Sequence, residues 1–362
     1  MCLHSVLGCA MFLTGFGVAV PPQRFTQEEC CKAFQAAPQF AKLNTRAQAL
    51  LKKVLSGKNG IATRHLAITD WDEAFTLTPA ALHARFTQHA PSLAAQAAKR
   101  ALSNAKLSPS EMDAVIISTC TGYLCPGLTS YVTEQLGLRP DVQALDLVGQ
   151  GCGAALPNWR MAEALLAAGR ARHILSICVE VCSAALYLDN DPGVLISACL
   201  FSDGAGAAVL SAEPSAHRRR IEWKTASTFL SPTERDYLRF EQRDGMLRNI
   251  LASQVPTLAA KHAENVLKET LRLGSVKRAD ITGWVLHAGG REVLVALQKR
   301  LGLTENDLLP SVSVLRDFGN VSSPFVLFVL EKMLSENAPG GWWWMSSFGA
   351  GFSCHGALLK VE

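Results

Sequence analysis

Residues 145–156, LDLVGQGCGAAL, carry an apolar strand-like run into a helix through a turn that holds one cysteine between two glycines. Cys152 precedes the helical pattern GAALPNWRMAEALLAAG, so its sulfur lies near a helix N-terminus, where free N–H groups and the dipole favour a thiolate. Gly151 and Gly153 relieve the steric cost of a sharp strand-to-helix turn, the mechanical logic of a nucleophile elbow. The alternative is structural, because reduced cysteine also packs as a small hydrophobe.

Outward from this turn, strands and helices alternate. Strand-like runs occupy 5–20, 113–120, 142–148, 171–182 and 205–212. Helical periodicity occupies 26–36, 41–55, 92–106, 127–136 and 153–169, and LISACLF (195–201) reads as a further strand-like run. A proline, serine and arginine break follows at 211–223, where Arg218–Arg220 read as a solvated linker face. Strands resume at 221–230, 283–288 and in the C-terminal run from Trp342, and helices at 250–272, 290–301 and 323–336. The alternation implies parallel or mixed sheets covered by helices. With 362 residues, the chain exceeds the ~250–300 at which single cores stop growing. Two α/β halves, 1–213 and 221–362, are expected, with no short-period repeat.

Composition narrows the function. A hydrophobic share of 49% against 18% charged excludes disorder. The net charge of +4 suits a polyanionic small ligand such as CoA and is too weak to argue for nucleic acid. Eleven cysteines without a CxxC pair fit neither a disulfide framework nor a zinc site, and point to a reducing cytosol. The apolar N-terminus lacks a basic n-region and an A-x-A site, so a first strand is expected there rather than a signal or membrane segment.

A thiol nucleophile needs a base. Among nine histidines, His287 in GWVLHAGGREVL ends a buried strand, where layered α/β folds place ligand sites. A core histidine bonded to backbone is the alternative. Asn320, in VLRDFGNVSSPFVLFVLEKM, stands between an extended run and an apolar helix. It reads either as an N-cap, like Ser322 and Ser323, or as an amide donor aimed at developing negative charge. FSDGAGAAVL and SFGAGFSCHG lack a GK[ST] ending, so tight turns lining a cavity are expected rather than P-loops.

Together, CTGYLCPGLTSYVTEQLGLRP, GQGCGAALPNWRMAEALL, LFSDGAGAAVL, WVLHAGGREVL, VLRDFGNVSSPFVLFVLEKM and SSFGAGFSCHGALL resemble the type III polyketide synthases, the chalcone synthase-like branch of the thiolase superfamily. The order and spacing match from about residue 10 to the end. The resemblance implies a homodimer of thiolase-like, five-layered αβαβα subunits with two pseudo-symmetric halves. It implies Cys152 as acyl-accepting nucleophile, a thiolate paired with His287 imidazolium, and His287 and Asn320 as donors to a malonyl-derived enolate. Phe201 matches the aromatic gate between CoA tunnel and reaction cavity. A second pair, Cys354–His355, is set aside, because the thiolase Gly-His-Pro context is missing.

Malonyl-CoA and an acyl-CoA starter are the implied substrates, and no metal or other cofactor is expected, since decarboxylation generates the carbon nucleophile. Cys120, Cys182, Ala185 and Ser322 fall at substrate-lining positions, Cys125 at an interface methionine, and Gly349, Ala350 and Gly351 in a GFGPG-type loop. Lys52, Lys53, Lys58 and Arg64 fall near the family's CoA-binding basic residues, although an ordinary solvated helix face would look the same. The small side chains resemble bacterial alkylresorcinol and alkylpyrone synthases, so a fatty acyl starter, two or three malonyl extensions and cyclisation are expected. The alternatives are a single-round 3-ketoacyl synthase, a malonyl-CoA-only aromatic synthase, and a partner subunit that holds acyl chains without turnover.

Overall fold

The computed structural model describes residues 10–56 and 59–362 and builds two half-sheets of matching topology. The first half opens with β1 (Met11–Ala19) and β2 (Arg24–Thr26), then α1 (Gln27–Ala36), α2 (Pro38–Ala41), α3 (Thr45–Leu55) and β3 (Thr63–His65). It continues through α4 (Trp71–Ala74), α5 (Pro79–Ala105), β4 (Ala114–Ser118), α6 (Leu128–Leu136) and β5 (Gln143–Leu147). It closes with α7 (Ala155–Ala167), β6 (His173–Glu180), α8 (Pro192–Leu200) and β7 (Gly204–Ser211). The second half comprises β8 (Ile221–Leu230), β9 (Leu238–Arg243), β10 (Met246–Leu251), α9 (Val255–Gly274) and β11 (Ile281–Leu286). Then come α10 (Arg291–Leu301), α11 (Glu305–Phe318), α12 (Phe325–Ser335), β12 (Gly341–Gly349) and β13 (Ser353–Val361).

From a central seam between β1 and β8, the order runs β7-β6-β4-β5 on one side and β13-β12-β11 on the other. The β1–β7 and β7–β6 pairings are antiparallel and β6–β4 is parallel, and β8–β13, β13–β12 and β12–β11 repeat that pattern. The seam is two residue pairs, Met11–Trp223 and Phe12–Glu222, which link the half-sheets into one nine-stranded order. α5 covers one outer face and α9 the other, while α7 and α12 each touch strands of both halves. The stack is therefore helix, sheet, helix, sheet, helix. Its middle layer explains why α12, FVLFVLEKMLS, is apolar almost all round.

Four regions differ from the sequence reading. LISACL lies in α8, not in a strand: Pro192 occupies the first turn and the Asp191 carboxylate accepts the Gly193 and Val194 N–H groups at 2.8 and 3.2 Å. A helix buried on every side shows no helical period, which is why it passed for a strand. α5 begins at Pro79 behind a Thr78 cap, and its internal Pro91 conceals the first turns. The run before Asn320 is helical, started by a Thr304–Asp307 capping box and ended at Gly319, whose φ is +71°. The β9–β10 hairpin escaped notice although its Asp244-Gly245 turn, with φ of +52° and +77°, is a strong hairpin signal. Of the expected strand 5–20, residues 5–9 lie outside the described part. Among the described residues, no helix is long and apolar enough to cross a membrane.

Candidate active site

Cys152 occupies a single tight turn, Gly151–Gly153, between β5 and α7. This turn interlocks with the loop joining β12 to β13. A Cβ on Gly349 would lie 2.3 Å from the Gln150 carbonyl oxygen and 2.6 Å from the Gly153 nitrogen. One on Gly151, whose φ is +55°, would lie 2.9 Å from the Ala350 nitrogen. Glycine is needed on both sides because backbone meets backbone. Gly349 and Ala350 thus brace the nucleophile turn, and Gly351 follows with a φ of +124°. Ser347 adds a hydroxyl donated to the Gly153 carbonyl at 3.0 Å.

Asn320 reaches the same place from the other half. Its Nδ2 donates to the Gly289 carbonyl at 2.8 Å, and its Oδ1 accepts the Ser322 N–H at 2.9 Å. It is not an N-cap, since α12 begins at Phe325 without a side-chain cap. Its grip holds Ser322 in the left-handed region, at a φ of +60°. The Ser322 hydroxyl consequently stands 3.1 Å from the Cys152 sulfur and 3.6 Å from that of Cys120.

His287 follows β11, with its N–H donated to the Ser346 carbonyl at 3.0 Å. Its ring packs edge-on against Phe348 and Phe325, at centroid distances of 4.9 and 5.3 Å. Neither ring nitrogen has a hydrogen-bond partner among the described residues, and burial pushes the imidazole down to about 3. Phe348 adjoins Gly349, and Gly289 receives the Asn320 amide, so contiguous packing joins His287, Asn320 and Cys152. Burial pushes the Cys152 thiol up to about 12; the Ser322 hydrogen bond opposes this and Glu180 adds to it. Desolvation therefore opposes charge on both groups, against the helix end that favours the Cys152 thiolate.

Sequence reasoning missed Glu180. This fully buried carboxylate, at the end of β6, accepts the Cys120 N–H at 3.0 Å, the Thr121 hydroxyl at 2.9 Å and the Ser323 hydroxyl at 2.5 Å. Burial raises its pKa, with the Ser323 and Cys120 hydrogen bonds opposing. The signal was available: one acidic residue inside the apolar run LSICVEVC has to find partners.

Beside Ser322 opens a cavity of about 40 Å³, walled by Thr121, Cys182, Ala185 and Phe201. Phe201 ends α8 and bridges to Asn320. Arg64 also reaches this wall, which corrects its expected place at a tunnel mouth. It is only 2% exposed, and its Nη1 donates to the Ala198 and Phe201 carbonyls at 2.8 and 2.9 Å. Lys52 and Lys53 are exposed at the end of α3, Lys52 above the Phe40 ring, and Lys58 lies outside the described residues. Cys125 is exposed near Tyr123. His355 is buried against the Gly153 backbone, its Nδ1 3.0 Å from the Thr228 hydroxyl, and Cys354 is buried beside it.

Duplicated half-sheets that meet over a cysteine turn are the architecture of thiolase-type acyl transferases. Residues 12–234 match the model of the FAE1/type III polyketide synthase-like proteins, and residues 223–361 that of the chalcone and stilbene synthase C-terminal domain. The chain belongs to the type III polyketide synthase family, whose members are acyltransferases. It is 34% identical to a 3,5-dihydroxyphenylacetyl-CoA synthase of Streptomyces toyocaensis, over 67% of this chain and 64% of that protein. A protein of the same name from Amycolatopsis orientalis is 32% identical, over 73% and 72%. The 1,3,6,8-tetrahydroxynaphthalene synthase of Streptomyces peucetius subsp. caesius is 28% identical, over 99% and 95%. The fold is shared with PKS-I of the brown alga Ectocarpus siliculosus, at TM-score 0.89 and 24% identity over 98% of each chain. It is also shared with the type III polyketide synthase domain of Steely1 from Dictyostelium, at 0.85 and 22% over 97% and 99%.

Proposed function

We propose that the protein extends an acyl group held on Cys152 by repeated decarboxylative condensation of malonyl-CoA, then closes the chain to a small aromatic product. One observation carries the reading: Asn320 fixes the Ser322 hydroxyl 3.1 Å from the Cys152 sulfur, while His287 packs on Phe348, next to the Gly349 that braces the Cys152 turn. In the loading step, the sulfur attacks the thioester carbonyl as its proton passes to the neutral His287 ring. The C–S bond to CoA breaks, and the CoA sulfur leaves with that proton. Malonyl-CoA then loses CO2, and its enolate oxygen receives hydrogen bonds from His287 and from the second Nδ2 hydrogen of Asn320. Such donors act most strongly in a dry site. The enolate carbon attacks the acyl-Cys152 carbonyl, a C–C bond forms, and the thiolate departs to be reloaded. This scheme calls for no metal or cofactor, and a reducing cytosol would keep Cys152 reduced.

The starter is the finer question. The products in the relatives' names, an eight-carbon dihydroxyphenylacetyl group and a ten-carbon naphthalene, are multiples of two carbons and carry no alkyl tail. This favours a malonyl-derived starter over the fatty acyl chain expected from sequence. The second reading, a fatty acyl starter leading to an alkylresorcinol or alkylpyrone, rests on the small Cys182 and Ala185 side chains in the cavity wall. Phe201 would gate the cavity, and exposed Lys52 and Lys53 would meet CoA phosphates. A second copy would dock on the outer edge of β5, which lacks a strand partner among the described residues and adjoins exposed Val148 and Tyr123.

The test is mass spectrometry of products formed from malonyl-CoA alone and with acyl-CoAs from acetyl to stearoyl. Aromatic products from malonyl-CoA alone support the first reading. Products that require long starters establish the second. Only 3-ketoacyl products would show a single-round synthase and sink both.

A further inference from the structure

The cavity beside Ser322 has one wall that belongs to no catalytic element. Phe240 of β9 and Asn249 of β10 line it, facing Val194, Ser197 and Ala198 of α8. The β9–β10 hairpin and α8 therefore both wall the cavity, and their separation is one of its dimensions. At Gly193, in the first turn of α8, an added Cβ would lie 2.2 Å from the Leu251 carbonyl oxygen. Hairpin and helix thus touch backbone to backbone.

What holds them there is one cation. Arg248 adjoins Asn249 on β10, and its side chain is 10% exposed. Its guanidinium lies 2.7 Å from Glu241 of β9, 2.9 Å from Asp189 and 3.6 Å from Asp191, the N-cap of α8. Glu241 is the cross-strand partner of Arg248, next to cavity-lining Phe240. A single guanidinium therefore ties both hairpin strands to the start of α8. Asp189, Asp191 and Glu241 share it, and Glu241 keeps a second cation, Arg239 at 2.8 Å, so removing Arg248 breaks the tie between α8 and the hairpin and takes this cation from the two aspartates. Hairpin and helix are then free to part, widening the cavity.

We infer that Arg248 determines starter size: a positioning residue that touches no substrate and sets the hairpin–α8 gap through Asp189, Asp191 and Glu241. This rests on the reading of the cavity as the room for the starter. Without the latch, the room accepts longer acyl groups.

The test compares wild type, Arg248→Gln, Arg248→Lys and Asp189→Asn, each given malonyl-CoA with an equal mixture of acetyl-, butyryl- and octanoyl-CoA. The octanoyl-to-acetyl product ratio should rise about tenfold in Arg248→Gln, the scale of one or two methylenes in an apolar pocket. Arg248→Lys should restore part of the wild-type ratio. Asp189→Asn should shift it less, in the same direction, and decides the matter if Arg248→Gln does not fold. Hydrogen exchange should quicken across 238–251 in Arg248→Gln. A folded Arg248→Gln protein with an unchanged ratio and unchanged exchange overturns the latch. Faster exchange with an unchanged ratio overturns its role in selectivity. Ala185→Phe separates the two readings: it fills the cavity, and an unaltered starter profile there would remove the cavity reading itself, leaving the exchange result to judge the latch.

Discussion

The two halves share one strand pattern and, in the proposed mechanism, divide the chemistry between them. In the first, β4 runs on to Cys120, and Cys152 precedes α7; in the second, β11 runs on to His287, and Asn320 with Ser322 precedes α12. Equivalent ends of equivalent elements meet at the middle layer, each bringing a different functional group. The surroundings differ as much as the groups do. Cys152 and Cys120 lie among hydroxyls and the Glu180 carboxylate, whereas His287 lies between two phenyl rings. A polar network surrounds the sulfurs, while an apolar box opposes charge on the imidazole. Duplication supplies the place, and local polarity assigns the role.

The hardest test of this division removes the nucleophile. Cys152→Ala should lower product formation by about 10⁴-fold or more, whereas Cys120→Ala should retain turnover, both read by product mass spectrometry. A Cys152→Ala protein that still condenses would mean the halves divide their work differently. Next, the second half should fail in a separable way. Asn320→Ala removes the enolate donor and frees Ser322, so malonyl decarboxylation should drop about 100-fold while acyl loading of Cys152 persists. Loss of loading to the same extent would show that Asn320 serves the nucleophile alone.

Acid should weaken the fold through the histidines. The folded-state values of His287 and His355 are pushed down to about 3 and about 4, from 6.5. Below pH 6.5 the unfolded chain takes up protons that the folded one refuses. Stability is intact above that value and declines as pH falls toward the folded values, by about 2 kcal/mol per histidine at pH 5. Urea unfolding at pH 7 and pH 5 should show this loss, and His355→Gln should recover about half of it. The smallest effect belongs to Ser322→Ala. Without that hydrogen bond the Cys152 thiol rises further, and iodoacetamide labelling at pH 8 should slow by about threefold to tenfold. Unchanged labelling would detach Ser322 from the sulfur.

Much of this was legible in the sequence. The alternation of elements gave the layered α/β class, and glycines flanking Cys152 marked a turn that does admit backbone on both sides. Periodicity failed where burial erased it, as in α8, and where Pro91 and Pro310 interrupted helices that the rest of the chain holds in place. Local sequence also misjudged charge. A helix end beside Cys152 argued for a thiolate, but burial, which opposes it, and the hydroxyl of Ser322, 170 positions away, which favours it, are set only by folding. Arg64 looked like a surface cation beside Lys52 and Lys53, yet β3 turns it inward to the α8 carbonyls. Glu180 stood out in sequence only as an acid in an apolar run, and folding gathers five hydroxyl, thiol and amide donors around it.

The central claim, that Cys152 alone carries the growing chain, is tested most directly by trapping the acyl-enzyme. The protein is mixed with acetyl-CoA, quenched in acid, digested and mapped by mass spectrometry. An acetyl group on the peptide containing Cys152, absent from Cys152→Ala and retained in Cys120→Ala, is the expected result. Acetylation of Cys120 or Cys182 in its place would contradict the account.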